Sequence, residues 1–506
     1  MSHPYDQPIR DITDYIYNHE ITDPEAYTAA RIALLDALGC AIETFSKSHA
    51  ARQLLGPIIP GTTVPHGFKV PGTAYQLDPV KGTFDLGVLT RYLDHNDALG
   101  GAEWGHPSDN IPALLTITDH LSRTSTSTTT SPPTPTPTPT APPTIHTLLT
   151  TLIKSYEIQG HYQLHNAFNT HNIDHTILTK LSSTALVSYL LGHTPQTTQS
   201  LLSHVWMDGH PSRLYRSRDT TVPRKGWAAG DASSRAVQLC LLGSRAAEAM
   251  GGVPDALSAR GNGFWGRFPE GFRFPESGMG SETVKRVMFK VMPVEGHGIA
   301  AVEGAVVQAG RMRGLGVGVE EVDVVEVRTT WAAGHIISRP GRGRGRLEGP
   351  AERDHCLEFV VAVALVKGGV LVVEDYGDEG GWVENPVVEE LRGRIVVRVD
   401  EGLTSDYLDP AKRSIGAGVL VRLKGGRVLE EVLVEFPVGH ARNSRTRDEV
   451  RRKFVRNMRL MFAEEEIERV LRLVEVDELR VCEFVDLFAR GGENDTAGGG
   501  GERARL

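Results

Sequence analysis

The sequence places Tyr92-Leu93-Asp94-His95-Asn96-Asp97 shortly before Gly105-His106-Pro107-Ser108-Asp109-Asn110. Carboxylates and histidines share this stretch with glycines, which let a backbone approach a ligand closely. A carboxylate beside a histidine orients the imidazole and tunes its proton affinity, so His106 with Asp94 or Asp97 suits acid–base catalysis. The simpler interpretation is that Ser108 and Asp109 cap a helix over 111–121. Both interpretations are compatible, because a capped helix start also attracts anions.

Two further polar clusters carry cations. Arg224-Lys225-Gly226-Trp227 is followed by Ala228-Ala229-Gly230-Asp231, and adjacent cations beside glycine and an aromatic ring suit the binding of carboxylates. The alternative for this cluster is a solvated loop. Lys290 and His297 form the other cluster, for which an ordinary surface lysine and a loop histidine are the alternative.

Composition excludes several classes of protein. The chain has 506 residues, enough for two domains, of which 40% are hydrophobic and 23% charged, as in globular enzymes. Its net charge of −9 argues against nucleic-acid or anionic-membrane partners, and no run reaches the roughly 20 apolar residues of a membrane span. The 4 cysteines are scattered, which excludes a disulfide scaffold or zinc ribbon and indicates a reducing compartment.

Targeting signals are weak. Acidic residues among the first twenty argue against a transit peptide. The end Ala504-Arg505-Leu506 is only loosely similar to a peroxisomal address. We therefore expect a cytoplasmic protein, with the mitochondrion and the peroxisome as alternatives.

Periodicity predicts a helical first half and a strand-containing second half. Asp23-Pro24-Glu25 is typical of a helix start, and 145–156 and 177–191 are predicted buried helices. A helix over 298–312 precedes β-rich runs at 322–327, 395–399, 419–423 and 428–436, the last two flanking Gly425-Gly426 as in a hairpin. A helix with antiparallel strands indicates an α+β domain. The Ser/Thr/Pro-rich segment 122–144 is predicted to be a disordered insertion.

Four histidines, His161, His165, His171 and His175, suggest a zinc site, because the first two could share a helix face. No H-E-x-x-H motif or carboxylate partner supports that suggestion. We therefore predict that the protein holds no metal and no cofactor.

Taken in order, nine blocks of sequence resemble the MmgE/PrpD family. They are Leu93–Asp97, Ala102–Asn110, Tyr156–Gly160, Asp174-His175, Lys225–Ala232, Arg353–Cys356, Glu374–Tyr376, Asp409–Ile415 and Glu435–Arg442. The resemblance implies dehydration of 2-methylcitrate or a longer 2-alkylcitrate by acid–base elimination. It also implies a homodimer with a small tricarboxylate as substrate and with neither nucleic acid nor membrane as partner.

The same resemblance implies a mainly α fold with an α+β lid. Residues 1–280 would form a helical domain that includes the insertion 122–144. The α+β lid would cover 281–440, and 441–488 would return to the helical domain before a disordered tail at 489–506. The site would lie in the cleft between the two domains.

The resemblance also implies the site residues. Acid–base roles would fall to His106, oriented by Asp94 or Asp97, and to His175, with the acid and the base left undecided. Substrate contacts would come from Asn96, Ser108, Lys225, Lys290, His297 and Arg413. Cations would hold the three carboxylates, and oriented donors would stabilise the charge that develops beside the carbon losing its proton.

Departures from the family pattern leave alternatives open. Ala98 replaces a small hydroxyl residue, and Glu358-Phe359 replaces the usual Gln-Tyr. These changes suggest a relative acting on another alkylcitrate, as in secondary metabolism. Decarboxylation of cis-aconitate is one alternative activity. An inactive interaction protein is the other.

Overall fold

Two hydrophobic cores organise the part of the chain that the computed structural model describes, residues 4–125, 141–216, 222–267, 273, 278–339 and 347–491. The first core is helical and draws on residues from both ends of the chain. The second core contains a four-stranded sheet and the helices packed on it. The predicted fold class, mainly α with a smaller α+β part, is confirmed.

The helices and strands follow one another along the chain. Helices of the first half are α1 (Gln7–Asn18), α2 (Pro24–Lys47), α3 (His49–Arg52), α4 (Pro79–Arg91), α5 (Ile111–Thr124), α6 (Ile145–Gln163), α7 (Thr176–Leu190), α8 (Pro195–Met207) and α9 (Ala228–Met250). Later helices are α10 (Thr283–Arg286), α11 (Ile299–Gly314), α12 (Trp331–Ile336), α13 (Pro350–Arg353), α14 (Leu357–Lys367), α15 (Pro386–Arg392), α16 (Glu401–Leu408), α17 (Thr446–Met458), α18 (Glu464–Leu473) and α19 (Val481–Asp486). Strands are β1 (Phe68–Lys69), β2 (Gln76–Leu77), β3 (Val322–Thr329), β4 (Ile395–Val399), β5 (Ala417–Leu423) and β6 (Val428–Val434).

Close packing of α4 against α9 brings two polar loops together. A Cβ atom on Gly87 would lie 2.4 Å from the Cα atom of Gly230, so only glycine allows this backbone contact. A Cβ atom on Gly226 would lie 3.0 Å from the Cα atom of Tyr92. The end of α4 and the start of α9 therefore meet, which places the segments around Asp94 and Lys225 side by side.

The sheet of the second core has the strand order β4-β3-β5-β6. β3 and β5 pair antiparallel, as do β5 and β6, whose connection contains Gly425 and Gly426 at φ values of +102° and +85°. The predicted hairpin and helix are present. The expectation of antiparallel strands was wrong for β4, which pairs parallel to β3 with Val325 opposite Ile395, because its chain returns through helices before it joins the sheet.

The C-terminal helices α17, α18 and α19 pack on the first core, and α17 lies against α2. Between them the buried Lys453 ammonium donates to Asp36 Oδ1 (2.8 Å) and to the backbone oxygen of His95 (2.5 Å). Burial alone lowers the pKa of Lys453, but the Asp36 carboxylate outweighs it and raises the pKa above its ordinary value. This ion pair therefore fixes the loop that follows α4.

Two predicted boundaries of disorder were wrong. Helix α5 continues to Thr124 with Ser122 buried, because Ser122 accepts hydrogen bonds from Arg480 and Cys482. At the other end, Arg490 is ordered by Glu466 and by the ring of Phe462. The remainder of the predicted insertion, 126–140, and of the predicted tail, 492–506, lies outside the described residues. Within the described residues, no helix is both long and apolar enough to cross a lipid bilayer.

Replacing Lys453 by Met should strongly destabilise the protein, because it leaves the Asp36 carboxylate buried without its cation. Removing one partner of a buried ion pair costs about 3–5 kcal/mol. Urea unfolding followed by circular dichroism measures the loss. Arg452→Met is the matched control: its side chain is exposed on the same helix and pairs with Glu449, so the change should be far smaller. Equal losses in the two variants would contradict a structural role for Lys453.

Candidate active site

A small polar pocket of about 90 Å³ lies where the two cores meet. The first core contributes the loop after α4, the start of α7, the 3-10 helix Arg213–Arg216 and the loop before α9. The second core contributes the segments before α11 and α14 and the end of α12. The described residues lining the pocket are Arg91, Asp94, Trp104, His106, His175, Arg213, Arg216, Lys225, Lys290, Glu295, His297, Ile336 and His355.

Cationic side chains surround the carboxylate of Asp94. Its backbone adopts a left-handed φ of +52°, which aspartate tolerates better than most residues, and its carboxylate turns back to Arg91 Nη1 (2.6 Å). Lys290 also donates to Asp94, and Lys225 Nζ lies 3.6 Å from Asp94 Oδ2. Burial disfavours the charged carboxylate, but Arg91, Lys290 and Lys225 outweigh it and hold the pKa of Asp94 well below its ordinary value.

His106 is fixed in one tautomer. Its Nδ1 donates to the backbone oxygen of Asp97 (2.5 Å), so Nε2 carries the lone pair and accepts from Arg91 Nη2 (2.8 Å). Burial and then Arg91 lower the pKa of His106 well below its ordinary value. Asp97 therefore orients the His106 ring, as predicted, but through its backbone carbonyl. The Asp94 carboxylate instead binds the cations.

His175 keeps both ring nitrogens unoccupied. It is buried at the start of α7, with no hydrogen-bond partner for Nδ1 or Nε2 among the described residues. Its ring centroid lies 5.6 Å from that of His106. Burial lowers the pKa of His175 to about 3, although Asp174 acts in the opposite direction. His175 is therefore a neutral imidazole with a free lone pair facing the pocket.

A carboxylate, a histidine and two aromatic side chains form a third group. Glu295 accepts from the backbone N–H of His297 (2.9 Å) and lies 3.0 Å from its Nδ1, while His297 Nε2 lies 3.3 Å from the Tyr407 hydroxyl. Trp104 Nε1 donates to the same hydroxyl (2.6 Å). Burial opposes ionisation of Glu295, yet His297 lowers its pKa to about 2. The Glu295 carboxylate therefore holds the His297 ring from its Nδ1 side.

The second core adds an Asp–His pair. Asp354 Oδ1 lies 2.5 Å from His355 Nδ1, and Lys225 Nζ lies 3.2 Å from both carboxylate oxygens of Asp354. Asp94, Asp354 and His355 bring three ligand atoms close enough to hold a metal ion. The ammonium group of Lys225 already lies among the same atoms. These ligand atoms are therefore better suited to holding the charged lysine side chain than to holding a metal ion. His161, His165 and His171 are not part of this group.

Six of the predicted site residues converge on the pocket: Asp94, His106, His175, Lys225, Lys290 and His297. Lys290 and His297 are buried, so the alternative of a surface lysine and a loop histidine was wrong. Arg413 lines an adjacent cavity instead, and its contact with substrate stays a prediction.

Three predicted residues lie behind the pocket wall. Asp97 Oδ1 accepts from the N–H and Oγ of Ser108 (3.1 and 2.6 Å), and its Oδ2 accepts from Tyr156. Asn96 donates to Ser108 Oγ (2.9 Å), and all three are buried. These bonds hold the loop. Contrary to the expectation, neither Ser108 nor Asp109 caps α5, because the 3-10 helix Pro107–Asn110 precedes this helix.

Sequence reasoning missed several lining residues. Arg91, Arg213 and Arg216 carry no local motif that marks them. Glu295 and His355 had a usable signal, since each lies within two residues of a histidine or carboxylate partner. A search for such close carboxylate–histidine pairs finds both.

Residues 10–277 match the MmgE/PrpD N-terminal domain, and residues 292–479 match the MmgE/PrpD C-terminal domain. The chain belongs to the MmgE/PrpD family. This MmgE/PrpD protein is 48% identical over 97% of its length to an alkylcitrate dehydratase from a fungal species, covering 95% of that protein. An alkylcitrate dehydratase from Talaromyces stipitatus is 46% identical (96% of this chain, 97% of the relative). A 2-methylcitrate dehydratase from Salmonella typhimurium is 40% identical, with the same coverage.

The low pKa values of His106 and His175 predict an unusual pH profile. His175 stays unprotonated as pH falls from about 8 to about 5, so a base at this position remains active over this range. We expect the acidic limb of kcat/KM to lie below about pH 5 rather than near 6.5, the ordinary pKa of histidine. Measuring kcat as well separates ionisation of the enzyme–substrate complex from that of the free reactants. An acidic limb near 6.5 in both profiles would contradict the neutral, buried base.

Proposed function

We propose that this protein is a hydro-lyase that dehydrates 2-methylcitrate or a longer 2-alkylcitrate to the corresponding 2-alkyl-cis-aconitate. The observation that carries the proposal is a set of five cations against two carboxylates among the described lining residues, together with His106 and His175, whose pKa values are lowered by burial. Such a set of cations suits a substrate with three carboxylates, and a neutral imidazole suits removal of a proton from carbon. The names of the relatives support the same chemistry.

In the proposed reaction, a histidine takes the proton from the carbon beside a carboxylate. The electron pair left there forms the double bond as the C–O bond breaks, and the hydroxyl leaves as water with a proton from an acid. His175 is the better placed base, because its lone pair is free, whereas that of His106 is engaged by Arg91. Lys225, Lys290 and Arg91 then stabilise the charge that develops on the adjacent carboxylate.

The predicted pair of His106 and His175 lacks a good acid, because both have lowered pKa values. We assign the acid to His297, whose ring is held by the Glu295 carboxylate 3.0 Å from Nδ1 and whose Nε2 is directed at the Tyr407 hydroxyl. In this assignment His297 protonates the leaving hydroxyl, while His106 orients Arg91 and the carboxylate that it binds.

Incubating the purified protein with 2-methylcitrate, longer alkylcitrates, citrate and cis-aconitate tests the proposed function. Dehydration produces a conjugated alkene that absorbs in the ultraviolet, whereas decarboxylation of cis-aconitate releases carbon dioxide. Carbon dioxide release alone would support the decarboxylase alternative. No change with any of these compounds would support an inactive interaction protein.

We also propose that the two cores act as separate domains and that the chain works as a cytoplasmic homodimer. The first domain would extend beyond the predicted boundary at 280, because Val284, Val287 and Phe289 pack in the first core. The family resemblance supports these assignments. Sedimentation of the purified protein tests the dimer, and fluorescence microscopy of a tagged chain tests the compartment.

Replacing His175 by Gln should lower kcat by roughly 10²–10⁴-fold, the usual contribution of one positioned proton-transfer group, because this change removes the proposed base. His106→Gln should cost far less, because the glutamine amide oxygen can still accept from Arg91. The ultraviolet absorbance of the alkene, followed continuously or in stopped samples, gives the rate. A melting curve shows whether the variant is folded. The control is His146→Gln, a half-exposed histidine on α6 that should leave the rate unchanged. A variant that melts early yet turns over normally per folded molecule would show a purely structural role.

Activity should survive dialysis against a chelator. The three potential ligands Asp94, Asp354 and His355 already surround the Lys225 ammonium, so a metal ion would have to displace it. Residual activity is compared with that of an undialysed sample and with that after adding back zinc or iron. Loss of activity that either metal restores would contradict the prediction.

A further inference from the structure

A second, larger cavity lies next to the polar pocket. Its volume is about 690 Å³, and its apolar floor is formed by Leu99, Leu164, Met288 and Ile415. Leu99, Met288 and Ile415 are buried side chains that also belong to the two cores. The floor of the cavity is therefore part of the folded scaffold.

Trp104 lines both spaces and forms the wall between them. Its indole packs on the His297 ring with centroids 4.4 Å apart and donates to Tyr407, which lines the larger cavity. A Cβ atom on Gly296 would lie 2.4 Å from the indole, and one on Gly100 would lie 3.2 Å from it. Both glycines thus leave room for the indole, so the wall is a defined part of the site.

The sizes of the two spaces favour a shared ligand. Pockets that bind small molecules usually measure about 300–1,000 Å³. The polar pocket, at about 90 Å³, is far below this range, whereas the neighbouring cavity, at about 690 Å³, is within it. A substrate whose carboxylates meet the cations of the polar pocket therefore needs more room than this pocket offers, and the cavity on the other side of Trp104 provides it.

The chemistry of the larger cavity favours an apolar group. Its rim carries cations, but most are already engaged: Lys412 binds Asp406 (2.8 Å), Arg286 lies 3.6 Å from Glu282, and Arg442 donates to a backbone oxygen. Arg413 is half-buried and interacts electrostatically with Tyr407 and Asp409, and Arg273 also lines the cavity. Uncovered hydrocarbon comes from Leu164 and from the exposed lining residues Ala102 and Ala411, and it gains stability when another apolar group covers it.

We infer that this cavity binds the alkyl chain of the substrate, and that the wall of Trp104 and Tyr407 together with the apolar floor sets which chain lengths are accepted. The inference rests on the proposed function, since it takes the reacting carbons to lie in the polar pocket. A substituent on those carbons passes Trp104 and covers the floor beyond it.

Binding of substrate analogues tests the cavity without requiring turnover. 2-Alkyltricarballylates lack the hydroxyl leaving group, so their dissociation constants can be measured by calorimetry. Each buried methylene contributes about 0.8 kcal/mol, or roughly fourfold in affinity. We expect the hexyl analogue to bind at least tenfold more tightly than the methyl analogue. Equal affinities, or weaker binding of the hexyl analogue, would overturn the inference.

Filling the cavity provides the second test. Ala102 lines it and is exposed, so Ala102→Phe adds a ring where the chain would lie with little strain on the fold. We expect the ratio of kcat/KM for 2-hexylcitrate to that for 2-methylcitrate to fall at least tenfold. The matched control is Ala249→Phe, an exposed position on α9 outside the lining, where both values should stay unchanged.

The outcomes separate the inference from the function on which it rests. No turnover of either alkylcitrate by the unmodified protein contradicts the proposed function, while the calorimetric series still tests the cavity. Turnover of both with an unchanged ratio in Ala102→Phe overturns the inference and leaves the dehydratase assignment standing. A fall in the kcat/KM ratio for Ala102→Phe but not for Ala249→Phe supports both the inference and the dehydratase assignment.

Discussion

The buried cluster of Asp94 with its surrounding cations is the interaction on which the rest of the site depends. Arg91 comes from α4, Lys225 from the segment before α9, and Lys290 from the strand-like segment that leads into the second core. Burying these charges costs several kcal/mol for each ion unless each is paired, so removing Asp94 would leave three cations without the carboxylate that they share. The cluster therefore joins the two cores at the point where the chemistry is needed.

The same electrostatics explains the histidines. A pocket rich in cations and shielded from water disfavours a further positive charge, so His106 and His175 remain neutral. His297 lies in a different environment, because the Glu295 carboxylate is 3.0 Å from its Nδ1. The pocket thus holds histidines in two environments, one among cations and one beside a carboxylate, which distinguishes the proposed base from the proposed acid.

Local signals made part of the fold and site predictable, and long-range pairing limited the rest. The helix start at Asp23 and the hairpin at Gly425-Gly426 follow from rules about neighbouring residues. The parallel pairing of β4 was missed, because it depends on the path of the chain through α14 and α15. Asn96 and Ser108 share the polar loop with Asp94, but polarity alone could not distinguish side chains that face the pocket from those that hold the loop.

The polar pocket and the larger cavity meet two different requirements of the site, acid–base chemistry in the first and contact with an apolar group in the second. Acid–base elimination requires fixed charges, since an error of an ångström in a buried charge pair changes its energy strongly. Apolar contacts are non-directional and depend mainly on the area covered. A wall built on Trp104 keeps the charged groups unchanged while residues on its far side, such as Ala102 and Leu164, remain free to vary. In this arrangement substrate range can change in evolution without disturbing the cations around Asp94.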